Sequence, residues 1–137
     1  MPLKGKNQLV QRLRDKSDQL CRALMLEAHG RLIRKTPVRT GRARNNWNVG
    51  IGAVDLSTTD KGSYPKGGGE AMQAGITKIG SFKAGDVGFI TNALPYVKPL
   101  EEGSSTQAPK GMVKVTKKEL KPLVAQILAK LATGAID

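Results

Sequence analysis

Asn92-Ala93-Leu94-Pro95-Tyr96-Val97-Lys98-Pro99-Leu100-Glu101-Glu102-Gly103-Ser104-Ser105-Thr106-Gln107-Ala108-Pro109-Lys110-Gly111-Met112-Val113-Lys114-Val115-Thr116 is the stretch around which this 137-residue chain is arranged. Pro95, Pro99 and Pro109 each lock φ and remove a backbone donor. Gly103 and Gly111 open backbone angles that side chains exclude. Tyr96, Leu100 and Met112 are large enough to anchor the segment by burial. A segment so constrained is presented by its neighbours rather than strung between them. A strand is expected before it, over Asp86 to Thr91, where Val87, Phe89 and Thr91 alternate. Tyr96 to Glu102 has room for a helical turn. Met112, Val113 and Val115 read as a further strand leading into a last helix.

That last helix carries Leu120, Leu123, Val124, Ile127, Leu128 and Leu131 at helical spacing, with Gly134 as its stop. Two starts compete. Thr116 and Glu119 have the spacing of a capping box. Pro122 is tolerated best as a first helical residue, with Lys121 as cap, and this start is favoured.

Working back to the N-terminus, Asn7 to Lys35 reads as one long amphipathic helix. Leu9, Leu13, Leu20, Leu24, Ala28 and Leu32 recur at steps of four or seven, and Val10, Cys21 and Met25 widen the stripe. Asp15 and Asp18 are local partners for Arg22 and Arg14. Pro37 pushes Thr36 out of the helical region, so the helix ends near Lys35. After a tight turn, Trp47 to Val54 alternates as a half-buried strand. Trp47, Val49, Ile51 and Ala53 face one side; Asn46, Asn48, Gly50 and Gly52 face the other. Trp47 is expected to pack on the long helix. Gly50 and Gly52 mark a bend or a close neighbouring backbone. Asp55 to Gly69 is a polar, Gly-rich loop, long enough to be functional or mobile. Glu70 to Ile79 is a short helix stopped by Gly80.

The class is therefore α+β. A long N-terminal helix and a C-terminal helix pack on a small antiparallel sheet of three to four strands, in a single domain over residues 1–137. The lone Cys21 excludes an internal disulfide framework and is read as a small core residue. No apolar run approaches the roughly 20 residues of a membrane span. The net charge is +12, and residues 1 to 50 carry twelve Lys and Arg against three acids. Such a basic third suits an acidic protein or a nucleic acid.

Catalytic patterns are absent from the sequence. His29 is the only histidine, placed inside the first helix and read as a surface or packed residue. Gly67-Gly68-Gly69-Glu70 lacks the Gly-Lys-Ser/Thr ending of a phosphate loop. Adjacent Glu101 and Glu102 point in different directions, a poor geometry for paired carboxylates. No enzyme activity, cofactor or metal is expected. Arg39, Arg42 and Arg44 are spaced to line a phosphate track, but no aromatic residue interleaves with them.

Three blocks resemble a known family. Thr36-Pro37-Val38-Arg39-Thr40-Gly41-Arg42 resembles the "TPVDTG(R/K)" turn after the first helix in tail-completion (neck) proteins of long-tailed bacteriophages. That group includes the minor tail protein Z of phage lambda. Ile90 to Tyr96, followed by Leu100 to Ser104, is similar to the family's "tNxlpYa..lE.G.S" stretch. Gln107 to Val113 resembles its "QAPxGMV" ending. Order and spacing agree over roughly residues 8 to 130. Arg39 stands where the family usually has Asp, so any cap or pair made by an acidic side chain there is missing from this turn. Pro122 is a second departure.

The resemblance implies a structural virion protein of the phage neck and tail, made in the host bacterial cytoplasm. Such proteins complete the head-proximal end of the tail and help join it to the DNA-filled head. They act as a ring of copies, six to match the tail. Implied partners are the tail terminator, tail tube and head-tail connector proteins, and DNA passing through the neck. Tyr96, Leu100, Glu101, Gln107, Pro109 and Met112 are the protein-interface candidates. Arg39, Arg42, Arg44, Arg31 and Arg34 are the candidates for contact with an acidic partner or DNA. The alternative is a small basic nucleic-acid-binding module. A small hydrolase using His29 or Glu101 and Glu102 is a third reading.

Overall fold

The computed structural model describes residues 2–133. The chain runs through α1 (Pro2–Lys35), a 3-10 turn (Arg44–Asn46), β1 (Asn48–Ile51), α2 (Gly69–Ile79), β2 (Gly88–Thr91), α3 (Val97–Glu101) and α4 (Val113–Thr133). The mixed class holds, with long helices at both ends and one antiparallel sheet. That sheet has two strands rather than three or four. β1 and β2 pair Asn48 with Thr91, Val49 with Ile90, Gly50 with Phe89 and Ile51 with Gly88.

The strand expected at Met112 to Val115 is instead the start of α4. Its cause lies eleven residues upstream. Glu101 Oε1 accepts the backbone N–H groups of Met112 at 2.8 Å and Val113 at 2.7 Å, and Oε2 accepts that of Lys114 at 3.1 Å. These are donors that the first turn of a helix leaves without partners. A carboxylate there also complements the helix dipole. The cap overrides the β preference of Val113 and Val115. Pro122 is then an interior residue of α4, not its start. Thr116 lies in the first turns with its backbone N–H bonded to the Met112 carbonyl at 3.0 Å. Glu119, freed from any capping box, pairs with Arg31 and Lys35 of α1, each at 2.9 Å. The proposed stop, Gly134, lies outside the described residues.

α1 starts at Pro2, before the expected Asn7. Among its described side chains, the deeply buried ones lie in its C-terminal half. His29, Leu32, Ile33 and Thr36 form the inner stripe, while Leu9 is 54% exposed and Val10 is also exposed. The stripe drawn through Leu9 and Leu13 therefore continues past the end of the core. Among the described residues, Asp18 and Arg22 bond to the loop after α2 rather than to each other or to Asp15 and Arg14. Asp18 accepts the Ala84 N–H at 2.7 Å, and Arg22 donates to the Phe82 carbonyl at 2.6 Å, which ties the loop after α2 to α1.

The main core joins Leu32, Ile33, Trp47, Ala71, Ala108 and Met112, with Leu100 and Val113 packed at its edge. Trp47 precedes the strand but packs as expected. Its Nε1 donates to Thr36 Oγ1 at 2.7 Å, and that hydroxyl donates to the Leu32 carbonyl at 2.6 Å. β1 is shorter than the expected Trp47 to Val54, and Asn46 is a buried residue of the 3-10 turn rather than an outward strand residue. The glycines explain the shortening. A Cβ on Gly50 would meet the Ala53 carbonyl, and Gly52 adopts φ +79 where the chain turns away.

Candidate interaction cleft

The turn after α1 is built by its own motif. Thr36 is fully buried and closes the α1 end through the two hydroxyl bonds described above. Arg44 reaches back over the same helix end. Its guanidinium donates to the Thr36 carbonyl at 2.7 Å and the Arg34 carbonyl at 2.9 Å. These bonds satisfy carbonyls that the last helical turn leaves open. Gly41 takes φ +86, and a Cβ there would crowd Tyr64 and Pro65. The turn thus leaves Arg39 and Thr40 on the outside.

The central segment closes onto this turn. Gln107 clasps Val38 at two points: Oε1 accepts the Val38 N–H at 2.9 Å and Nε2 donates to the Val38 carbonyl at 3.1 Å. Asn92 Nδ2 donates to the Ala43 carbonyl at 2.9 Å, and Asn92 Oδ1 accepts the Leu94 N–H at 3.2 Å. Gly103 and Gly111 have φ of +94 and +85. A Cβ on Gly111 would meet the Glu101 carbonyl oxygen and one on Gly103 the Pro109 carbonyl oxygen, so the two glycines let this segment fold back tightly on itself.

The third wall comes from the loop between β1 and α2. Asn46 Oδ1 accepts the Thr59 N–H at 2.8 Å, and Asn45 Nδ2 donates to the Pro65 carbonyl at 2.7 Å. The Tyr64 hydroxyl accepts the Lys61 N–H at 2.6 Å and shares a hydrogen bond with Thr59 Oγ1 at 3.0 Å. The Tyr64 ring itself is buried. Asn45, Asn46 and Tyr64 were not singled out from the sequence. The signal available was an aromatic in a polar Gly-rich loop, and an amide pair directly before the buried Trp47.

These three walls enclose an open cleft of about 810 Å³. Arg39, Arg42, Lys61, Tyr64, Tyr96 and Leu100 are among its lining residues. Two predicted sets therefore meet here: Tyr96, Leu100 and Gln107 from the interface candidates, Arg39 and Arg42 from the basic candidates. Arg42 is partly engaged, with Nε 3.0 Å from the Thr59 carbonyl and 3.9 Å from Asp60. Lys61 pairs with Glu70 at 2.7 Å. Arg39 makes no hydrogen bond or ion pair among the described residues. Tyr96 is 40% exposed.

The other predicted residues stand elsewhere. Met112 is fully buried core. Glu101 serves as the α4 cap. Burial pushes its pKa up, but its three N–H donors outweigh this and hold the carboxyl below the ordinary value. Pro109 is exposed but lies outside the cleft lining. Arg31 is committed to Glu27 and Glu119, and Arg44 to the carbonyls at the α1 end. Arg34 is exposed on α1. A continuous track of Arg39, Arg42 and Arg44 does not form, because Arg44 points back to α1.

His29 is buried, with Nε2 2.9 Å from the Trp47 carbonyl. Its ring lies against Gly75 of α2, where a Cβ would overlap it. Burial lowers its pKa, and the Trp47 carbonyl offsets only part of that. The packed reading of His29 accounts for this placement. No helix among the described residues is long and apolar enough to cross a membrane. Comparison with protein families, curated proteins and solved structures found no match.

Proposed function

We propose that this chain is a structural subunit of the phage neck and tail, working as a ring of copies that completes the head-proximal tail end and helps join it to the filled head. One observation carries the reading. The residues that make the resemblance divide into builders and presenters. Thr36, Gly41, Asn92, Glu101, Gln107 and Met112 build the fold by hydrogen bonds, special backbone angles or burial. Arg39, Tyr96 and Pro109 are left on the surface that they build. Interlocked motif blocks with an exposed remainder suit a protein whose work is contact.

Exposed apolar side chains on the two long helices add support. Leu9, Val10 and Leu26 on α1 and Val124 and Leu128 on α4 are open to solvent in the single chain. A ring of copies gives such residues something to cover them. Repeated modest contacts around the ring also add by multivalency. Deleting the gene from its phage tests the reading. The expected result is full heads and finished tails that fail to join, or tails with defective ends. Normal joined particles from the deletion would overturn it.

The charge of +12 favours a second reading, a nucleic-acid-binding module. Tight binding of duplex DNA by the isolated chain, with a steep dependence on salt, would favour that reading.

A further inference from the structure

We propose that the cleft between the Pro37–Ala43 turn, the Asp60–Tyr64 loop and Tyr96 binds an extended, acidic peptide segment of a partner protein. Four features of this one place agree. The first is charge: Arg39, Arg42 and Lys61 line it with Asp60 as the one acidic lining residue, and although Lys61 is also paired with Glu70 the lining keeps an excess of positive charge through Arg39 and Arg42. Arg39 is exposed and without an ion pair, so its planar fork is available for a bidentate carboxylate contact. The second is main-chain chemistry. Val38 has its N–H and carbonyl taken by Gln107, but Arg39 and Thr40 beside it have no backbone hydrogen bond among the described residues. Free main-chain donors and acceptors on an exposed rim are what an extended peptide pairs with.

The third feature is the floor. Exposed Tyr96, directly before the short α3, and half-buried Leu100 within it offer a place for one apolar side chain of the incoming segment. The Tyr96 hydroxyl has no hydrogen-bond partner among the described residues. The fourth is size: about 810 Å³ falls within the range of roughly 300–1,000 Å³ typical of ligand pockets. A single-stranded nucleic acid fits less well. It stacks on a series of exposed aromatic faces, and here the Tyr64 ring is buried, leaving Tyr96 as the exposed aromatic of the cleft.

The cleft belongs to one chain, so this inference is tested in solution and stands or falls separately from the neck reading. The probe is a fluorescent octapeptide, Glu-Asp-Leu-Glu-Phe-Glu-Asp-Leu, titrated by anisotropy against the purified full chain. Binding is expected, with a loss of about tenfold or more in each of Arg39→Glu and Tyr96→Ala. Both side chains are exposed and make no hydrogen bond or ion pair among the described residues, so both variants are expected to stay folded by circular dichroism. Lys117→Glu, an equal charge change at an exposed position on α4 outside the cleft lining, is expected to bind within about twofold of the parent, since salt screens an exposed charge that does not touch the ligand. The proposal is overturned if the octapeptide fails to bind the parent chain. It is overturned if Lys117→Glu loses as much affinity as Arg39→Glu, or if the octapeptide with all its acids changed to amides binds equally well. Stronger binding of a short oligothymidylate, abolished by Arg39→Glu, would also overturn it in favour of nucleic acid.

Discussion

Removing the Glu101 carboxylate takes three hydrogen bonds from the α4 start in one step. Charged caps and charge-assisted hydrogen bonds set the scale, so Glu101→Ala is expected to cost about 1–2 kcal/mol. Glu101→Gln keeps one acceptor oxygen and is expected to fall between the two. Urea unfolding followed by Trp47 fluorescence measures both, and an unchanged midpoint for Glu101→Ala would count against the cap. Gly75→Ala sets two effects against each other. Ala is better than Gly in a helix by about 1 kcal/mol, but its Cβ would overlap the His29 ring. That ring is buried and hydrogen-bonded, and overpacking a core costs about 1–3 kcal/mol. The overlap therefore wins, and the variant is expected to be less stable. His29 also sets a pH dependence. Its folded pKa lies below the ordinary 6.5 because burial penalises the imidazolium. Between 6.5 and that lower value the unfolded chain binds more protons than the folded one, so stability falls as pH falls through this window. Glu101 adds a further loss at lower pH, below the ordinary 4.5, because its folded pKa is also depressed. Urea midpoints at pH 7.5, 6 and 5 are expected to decrease in that order. A flat profile would remove the buried neutral His29.

Elements carry their own expectations. Pro122 is exposed inside α4, where it cannot donate to the Lys118 carbonyl. Pro costs about 3 kcal/mol relative to Ala in a helix interior. Pro122→Ala is therefore expected to stabilise the chain by about 1–3 kcal/mol, with higher helical ellipticity and a later thermal transition. A destabilised variant would mean that the proline holds a bend the packing needs. The outer half of α1 gives the opposite case. Leu9 and Val10 are exposed, so Leu9→Ser is expected to change the stability of the isolated chain by less than about 0.5 kcal/mol. If copies cover that face, the same change weakens assembly in sedimentation experiments at high protein concentration.

At the scale of the whole molecule, two motif blocks about 70 residues apart in sequence are joined by side chains. Gln107 holds the turn after α1, Glu101 starts α4, and Glu119 ties α4 back to α1. The consequence is a frame whose rim is basic and whose helices leave apolar residues outside. Gln107→Ala is expected to loosen that rim more than it destabilises the core, because Gln107 is itself exposed while Ala108 beside it is buried. Hydrogen exchange would show this as faster exchange at Val38 with little change at Ile33. Equal acceleration at both would mean that the clasp supports the whole fold.

Local pattern was enough to find the four α-helices and both strands of the described residues, though not the 3-10 turn at Arg44–Asn46, because periodicity and proline or glycine punctuation are written along the chain itself. It also marked Gly103 and Gly111 as special backbone positions, and Trp47 as a core residue of α1's partner layer. It misassigned Met112 to Val115, because Val113 and Val115 prefer strands and the carboxylate that overrides them sits on α3. It misplaced the α4 start for the same reason, since Pro122 is a good first residue only when nothing earlier caps the helix. It overextended the α1 stripe, because a periodic apolar face does not say where its partner ends. The cleft was the least legible feature. Arg39, Arg42 and Tyr96 were noted and Lys61 and Tyr64 were not; all lie in segments far apart in sequence, and only the Gln107 clasp and the pinned Tyr64 loop bring them to one place. Periodic elements follow from neighbours in sequence. Caps, clasps and clefts follow from neighbours in space, and those exist only once the chain has folded.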